Sequence, residues 1–233
     1  MTDKERKMEE IRANFTQGSD GYDDRIRKII PRYDEMLEAL MSCIPSPEGR
    51  RLRAIDIGCG TGAVSELLLR SHPDIDLTCL DMTESMLDRA RKRLKAHDNV
   101  RFVLADIYDF ELDGPYDLVI SSLALHHVIS DRDKKAIYRK IFDALSPGGW
   151  FLNADIVLGS SDDIQEVYMT KWKEFMYQSF TRDETDHVRV PRYHREDSPA
   201  RLVDHLRWLG EVGFGTVDVI WKYYNFAVYG GRK

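Results

Sequence analysis

Ala54-Ile-Asp-Ile-Gly-Cys-Gly-Thr-Gly-Ala63 is the stretch on which the reading of this chain turns. A short apolar run carrying Asp56 gives way to Gly58, Gly60 and Gly62, the pattern of a strand, a tight turn and a helix start. Glycine reaches positive φ without a Cβ clash and lets a ligand lie against the backbone. The first turn of the following helix adds N–H groups that have no partner within the helix. The spacing predicts a cradle for a nucleotide-like ligand. The glycines alone leave its identity open, because Gly58-x-Gly60-x-x-Ala63 also satisfies the dinucleotide-binding fingerprint, with Asp81 at the spacing of its ribose-binding acid.

Downstream, Val64, Leu67 and Leu68 follow a helical period that His72-Pro-Asp74 ends. A strand over 75–80 delivers Asp81. Leu87, Ala90 and Leu94 mark a helix that Thr83 is placed to cap, and a strand over 100–104 delivers Asp106. Residues 116–122 form a nearly continuous apolar strand, as expected when helices cover both faces. Tyr138, Ile141, Phe142 and Leu145 give another helix, which Pro147-Gly-Gly149 is expected to break before a strand over 150–158. This alternation predicts an α/β fold: a doubly wound, seven-stranded, mostly parallel sheet closed by a C-terminal antiparallel hairpin from 216–221 and 224–229.

The flanks are less regular. A polar arm opens the chain, and apolar positions from Ile26 to Ile44 predict two short helices, or one kinked at Pro31, ending before Pro45-Ser-Pro47. A linker over 48–52 follows. Ile164, Val167, Tyr168, Trp172, Phe175, Met176 and Phe180 predict an aromatic amphipathic helix, and 181–199, dense in charge, reads as a surface loop. A further helix carries Leu202, His205, Leu206 and Leu209 to Gly213.

With 233 residues, 42% hydrophobic and 32% charged, the chain suits one large core with appendages. No apolar run approaches bilayer length and the N-terminus is charged where a secretory signal is apolar, so the expectation is a cytoplasmic protein without membrane association. Cys43, Cys59 and Cys79 have neither metal-ligand spacing nor close pairing, so no metal and no disulfide framework are expected. A net charge of −6 gives no electrostatic footprint for nucleic acid, though it does not exclude one as substrate. A homodimer is compatible with the sequence.

Asp56-Ile-Gly-Cys-Gly-Thr-Gly62 closely resembles the first motif of the class I S-adenosylmethionine (SAM) methyltransferases. That resemblance implies SAM as cofactor. Gly58, Gly60, Thr61 and Gly62, with the buried acid Asp56, would shape the site of the amino-acid end. Asp81 would take the ribose hydroxyls, Asp106 with Ile107 would face the adenine, and Ser122 would stand near the methionine portion. Met82 and Met86 are candidates to pack on the adenine or ribose. An NAD enzyme ranks lower, because the chain lacks a second βαβ half for nicotinamide.

A wider resemblance, to the carboxy-SAM synthase family, rests on Gly21-Tyr22, Pro147-Gly-Gly149, the aromatic helix after strand five, Val212-Gly-Phe214 and Asn225-Phe226. It implies Tyr22 as a lid residue over SAM. The arginine that holds the extra carboxylate in that family would fall near Val190, where Arg189 and Arg192 become candidate substrate contacts. The organisation expected is an N-terminal helical arm or lid over 1–48, then a SAM-binding domain over 49–233 with a helical insertion at 160–199. Methyl transfer from SAM to a small molecule is the leading function. The alternatives are carboxyl transfer onto SAM itself and a SAM-binding regulator without catalysis.

A sulfonium methyl group is reactive enough that positioning and desolvation supply much of the rate, so no fixed catalytic motif is required. His126 and His127, soon after strand four, are candidate bases. Trp172, Phe175, Tyr177 and Phe180 are candidate walls of an acceptor pocket.

Overall fold

The computed structural model describes residues 3–44 and 49–233, so Pro45-Ser-Pro47 and the first residue of the linker lie outside the described residues. Seven strands form one sheet in the order β3-β2-β1-β4-β5-β7-β6. They are β1 (Arg53–Ile57), β2 (Asp76–Asp81), β3 (Val100–Leu104), β4 (Tyr116–Ser122), β5 (Leu145–Ile156), β6 (Thr216–Tyr223) and β7 (Phe226–Arg232). β1 runs parallel to both β2 and β4, with Asp56 opposite Cys79 on one side and Ile120 on the other. Only the pairings of β7, with β5 and β6, are antiparallel. The chain winds outward from β1 to β3 and returns to the far side of β1 at β4. The strand order therefore reverses between the ends that carry Gly58 and Ser122, where open α/β sheets hold their ligands.

Alternation along the strands explains why they are apolar throughout. Ala54 and Leu77 enter a core against α3 (Tyr33–Ser42), α4 (Ala63–Ser71), α5 (Glu84–Arg93) and α7 (Asp162–Met176). Ile55, Ile57 and Leu80 enter the opposite core, against α6 (Asp131–Ala144) and α10 (Leu202–Val212). Each fully buried aliphatic side chain, such as Leu68 or Ile141, contributes about 2 kcal/mol.

Four regions depart from the expectations. The polar arm is a 16-residue helix, α1 (Asp3–Gly18), whose apolar anchor is the fully buried Ile11; one such residue is too little period to announce a helix. Pro31 does separate two short helices, α2 (Tyr22–Ile29) and α3. Pro147-Gly-Gly149 lies within β5, because the strand begins at Leu145 and takes up the irregularity where its pairing with β4 shifts register. The expected surface loop is α8 (Arg182–Glu184), a π-helical turn (Thr185–Arg189) and α9 (Val190–Glu196), which bury Thr185, Tyr193 and Glu196 beneath a charged exterior. Thr83 stands at the N-cap of α5, but its hydroxyl bonds Asp81 and not the helix. The C-terminal hairpin turns at Tyr224-Asn225, where Tyr224 has φ 49°.

Candidate functional site

The turn after β1 is held by β2. The N–H groups of Gly58 and Cys59 both donate to the Leu80 carbonyl, at 2.8 and 2.9 Å, and the Gly60 N–H donates to Asp81 Oδ2 at 2.9 Å. Gly58 (φ 72°) and Gly60 (φ 54°) have left-handed backbones for different reasons. A Cβ on Gly58 would lie 2.3 Å from the Ala124 methyl, so close packing with the segment after β4 requires glycine. A Cβ on Gly60 would meet nothing within 4 Å, so there the conformation alone selects glycine.

Beside this turn, at the carboxyl ends of the strands, lies a cleft. Tyr22, Asp56, Gly58, Gly60, Thr61, Asp81, Met82, Met86, Asp106, Ile107, Ser122 and His127 all line it. Gly62 does not; its Cα face packs on Ala90 of α5, which fixes how closely α4 and α5 approach.

Asp56 is buried and takes one hydrogen bond, from Ser65 Oγ at 2.7 Å, while its Oδ1 has no partner. Burial pushes its pKa up to about 7. An unpartnered buried acceptor facing a cleft favours a ligand that brings N–H donors or positive charge, which fits the ammonium and sulfonium of SAM. Asp81, buried at the tip of β2, accepts from Gly60 N–H and from Thr83 N–H and Oγ, at 2.8–2.9 Å; burial raises its pKa. Three of about four lone-pair positions are thus used within the chain, so this acid shapes the turn as well as facing the cleft.

Asp106 accepts from the Tyr108 N–H at 3.0 Å, and its other oxygen faces Arg12 of α1 at 3.6 Å. Thr61 donates to Asp23 of α2 at 2.6 Å and accepts from Arg93, which also pairs with Asp23. The cleft is therefore covered by α1 and α2, tied across it by polar contacts. Arg12, Phe15 and Asp23 are functional candidates that no local sequence pattern announces.

A second cavity adjoins the first. Tyr22, Phe15, Leu123 and His127 line both. Leu123 has φ 51°, a left-handed conformation costly for a branched side chain, and it sits where the chain leaves β4 between the two cavities. His126, Arg189 and Arg192 line the second cavity only. Arg189 stacks on Phe180, 3.4 Å from the ring centre, and pairs with Glu184 at 2.7 Å; its Nε is buried without a partner. Arg192 is half exposed and bonds Glu196 at 2.8 Å. Of the four aromatic residues expected as walls, only Trp172 lines this cavity, its indole N–H bonding the Ile29 carbonyl at 2.7 Å. Phe175 and Tyr177 point elsewhere, Tyr177 to Asp186, because the helical period gives one face only to the cavity.

His126 occupies a 3₁₀ turn (Leu125–His127) after β4, and its Nδ1 lies 2.5 Å from Asp155 near the end of β5. Burial lowers its pKa, but the carboxylates of Asp155 and Asp197 more than offset that and the net direction is up. Burial and the neighbouring His126 hold His127 well below the usual histidine range. Asp155 had a visible signal, an acid inside an otherwise apolar strand; Asp197, in the charged segment before α10, had none.

Residues 54–149, from β1 into β5, match the methyltransferase domain family. That match spans 96 of the 233 residues and places a methyltransferase domain in the first four strands and their helices. It is 23% identical over 217 residues, 89% of this chain and 88% of the relative, to the carboxy-S-adenosyl-L-methionine synthase of Nautilia profundicola. It is 33% identical over 114 residues to the malonyl-[acyl-carrier protein] O-methyltransferase of Acetivibrio thermocellus, but that match covers 48% of this chain and 38% of the relative. The DhpI–SAM–HEP complex superposes over 97% of both chains with a TM-score of 0.65 at 18% identity, a likeness of fold. The chain spans 60% of another solved relative in fold, the methyltransferase SibL, at a TM-score of 0.61 and 22% identity. Among the described residues no helix is long and apolar enough to cross a membrane.

Proposed function

We propose that the first cavity holds SAM and the second a small acceptor, and that the enzyme moves the methyl group between them. The observation that carries this is the pair of adjoining cavities, with the unpartnered Asp56 oxygen and the glycine turn on one side and Leu123, Tyr22 and His127 forming their common wall. SAM supplies an electrophilic methyl group when bound. The chain's own part is to hold and dehydrate. Asp81 takes the ribose hydroxyls, Asp106 and Ile107 face the adenine, Gly58, Gly60 and Thr61 border the amino-acid end, and α1 and α2 exclude water from above. Ser122, at the end of β4, faces the same cleft.

In this reading residues 1–48 act as the lid over a catalytic domain of 49–233, and 160–199 form the acceptor wall. The net charge of −6 supports a small acceptor over nucleic acid, and we assign the protein to the cytoplasm. One observation favours a second reading. Arg189, mostly buried with an unpartnered Nε, suits a carboxylate in the second cavity, as either an anionic acceptor or the source of a carboxyl group placed on SAM. Mass spectrometry of the ligand carried through purification, followed by calorimetry with SAM, S-adenosylhomocysteine and NAD, tests the cofactor assignment. Saturable one-to-one SAM binding is expected. NAD binding without SAM binding would overturn it, and a carboxylated SAM in the purified protein would select the second reading.

A further inference from the structure

We propose that His126, His127 and Asp197 form a binding site for a divalent first-row transition-metal ion, opening on the second cavity. The ligand atoms of these three residues lie within 4.8 Å of one another, the one such group of three among the described residues. Asp197 Oδ1 is 3.7 Å from His126 Nε2 and 3.4 Å from His127 Nδ1. A tetrahedral ion with metal–nitrogen bonds of about 2.0–2.1 Å separates its ligands by about 3.4 Å, so Asp197 stands within a few tenths of an ångström of ligand separation from both histidines, while the histidine pair, within 4.8 Å, closes by up to about 1.4 Å through rotation of the rings.

Hydrogen bonding within the chain leaves the centre of this group unexplained. Asp155 engages His126 at Nδ1, which puts the proton there and turns the lone pair of Nε2 towards Asp197; a carboxylate behind a histidine in this way is the usual outer partner of a metal-ligating imidazole. The 3.7 Å gap is too long for a hydrogen bond from Nε2 to Asp197. His127 Nδ1 is buried and has no hydrogen-bond partner. The nearby ammonium groups are taken up elsewhere, Lys7 by the Asp197 carbonyl and Ser198 Oγ, and Lys134 by the Val128 carbonyl. The three ligand atoms thus converge with no lysine ammonium between them, and two imidazoles with one carboxylate select Zn²⁺, Co²⁺ or Fe²⁺ over Mg²⁺. All three residues line the second cavity, so the remaining coordination position faces the acceptor side. An acceptor oxygen held there is a role that rests on the methyl-transfer reading; binding of the ion does not.

The test is calorimetric titration of chelator-treated protein with Zn²⁺, and of the same protein with Co²⁺ read by its visible absorption. One equivalent should bind, with Co²⁺ showing the intense bands of a low-symmetry four-coordinate site. His127→Ala and Asp197→Asn should each weaken binding at least 100-fold, and Asp155→Asn about 10- to 100-fold. His72→Ala, at a half-buried histidine outside the group, should bind like the unaltered protein. SAM titration and a thermal melt on each variant report folding and the cofactor reading separately. Absence of saturable binding in the unaltered protein overturns the proposal whatever the variants do, and so does unaltered affinity in a folded Asp197→Asn protein.

Discussion

The two cavities are made in different ways. The first cavity is framed by the carboxyl ends of β1, β2 and β4 and the loop after β3, each a strand whose end or following turn carries a lining residue at once: Gly58, Asp81, Ser122 and Asp106. The second cavity is assembled from α1, α2, α7, the π-helical turn, α9 and the turn after β4. Backbone hydrogen bonds between neighbouring strands position the first, whereas side-chain packing and ion pairs between distant helices position the second. The first should therefore fail sharply when one residue is changed, and the second should degrade by parts.

The largest effect is expected at Asp81. Asp81→Ala removes the acceptor for the Gly60 and Thr83 N–H groups as well as the carboxylate facing the cleft, so SAM affinity should fall by about 2–4 kcal/mol and stability by about 1–3 kcal/mol. Asp109→Ala, on the neighbouring loop, should change neither by more than about 0.5 kcal/mol. Calorimetry and chemical denaturation on both variants measure this. Equal SAM affinity in the two folded proteins would remove Asp81 from the site.

Asp56 sharpens the same side of the comparison through pH. It ionises near 4 in an unfolded chain and at about 7 in the folded one. Between those values the folded state holds the additional proton, so this contribution to stability is full below pH 4, falls as pH rises to 7, and is level beyond. We expect a loss of about 2 kcal/mol, less than the full shift implies, because a buried site relaxes around a charge. Asp56→Asn should flatten that slope in urea midpoints measured from pH 5 to 8. An unchanged slope would assign it to other groups.

These differences also set how much could be read from sequence. β1 to β4, Asp56, the glycines, Asp81 and Asp106 were legible because strand, turn and acid are contiguous and the chemistry repeats at each strand end. β3 and β4 begin and end where the pattern put them. α1 was missed because only Ile11 gives it a fully buried apolar side chain, and α9 because its buried Tyr193 and Glu196 stand among charges that read as solvated. Asp197 meets His126 and His127 only through tertiary packing. No local period encodes such a meeting.

On the acceptor side, the effects should be smaller for binding and larger for turnover. Arg189 and Arg192 were equal candidates by sequence, but Arg189 is 19% exposed and stacked on Phe180, whereas Arg192 is 47% exposed on Glu196. Arg189→Ala should lower turnover about tenfold or more with SAM affinity within about twofold, and Arg192→Ala should matter less. Tyr22→Phe, in the common wall, should affect both steps moderately. Steady-state kinetics with a product-detecting assay, beside SAM titrations, separate these. Full activity in all three variants would place the acceptor elsewhere.

The smallest effect on the cofactor cleft is expected from removing residues 1–21. α1 is held by Ile11, by Lys4 to Asp133 at 3.0 Å, by Asn14 to Glu196 at 2.9 Å and by Arg12 facing Asp106 at 3.6 Å. Exposed ion pairs contribute about 0–1 kcal/mol each, so the helix is docked weakly and no strand depends on it. The shortened protein should still melt cooperatively, because the sheet and both of its cores remain. SAM affinity should change by less than about tenfold, the scale of losing one ion pair and part of a roof over the adenine side. Turnover should suffer far more, since Phe15, edge-on to His127 at 5.3 Å, and Asn14 leave the wall of the second cavity. A folded protein that no longer binds SAM would show that α1 belongs to the cofactor cleft as fully as the glycine turn does, and the division between a strand-built and a helix-built site would fail.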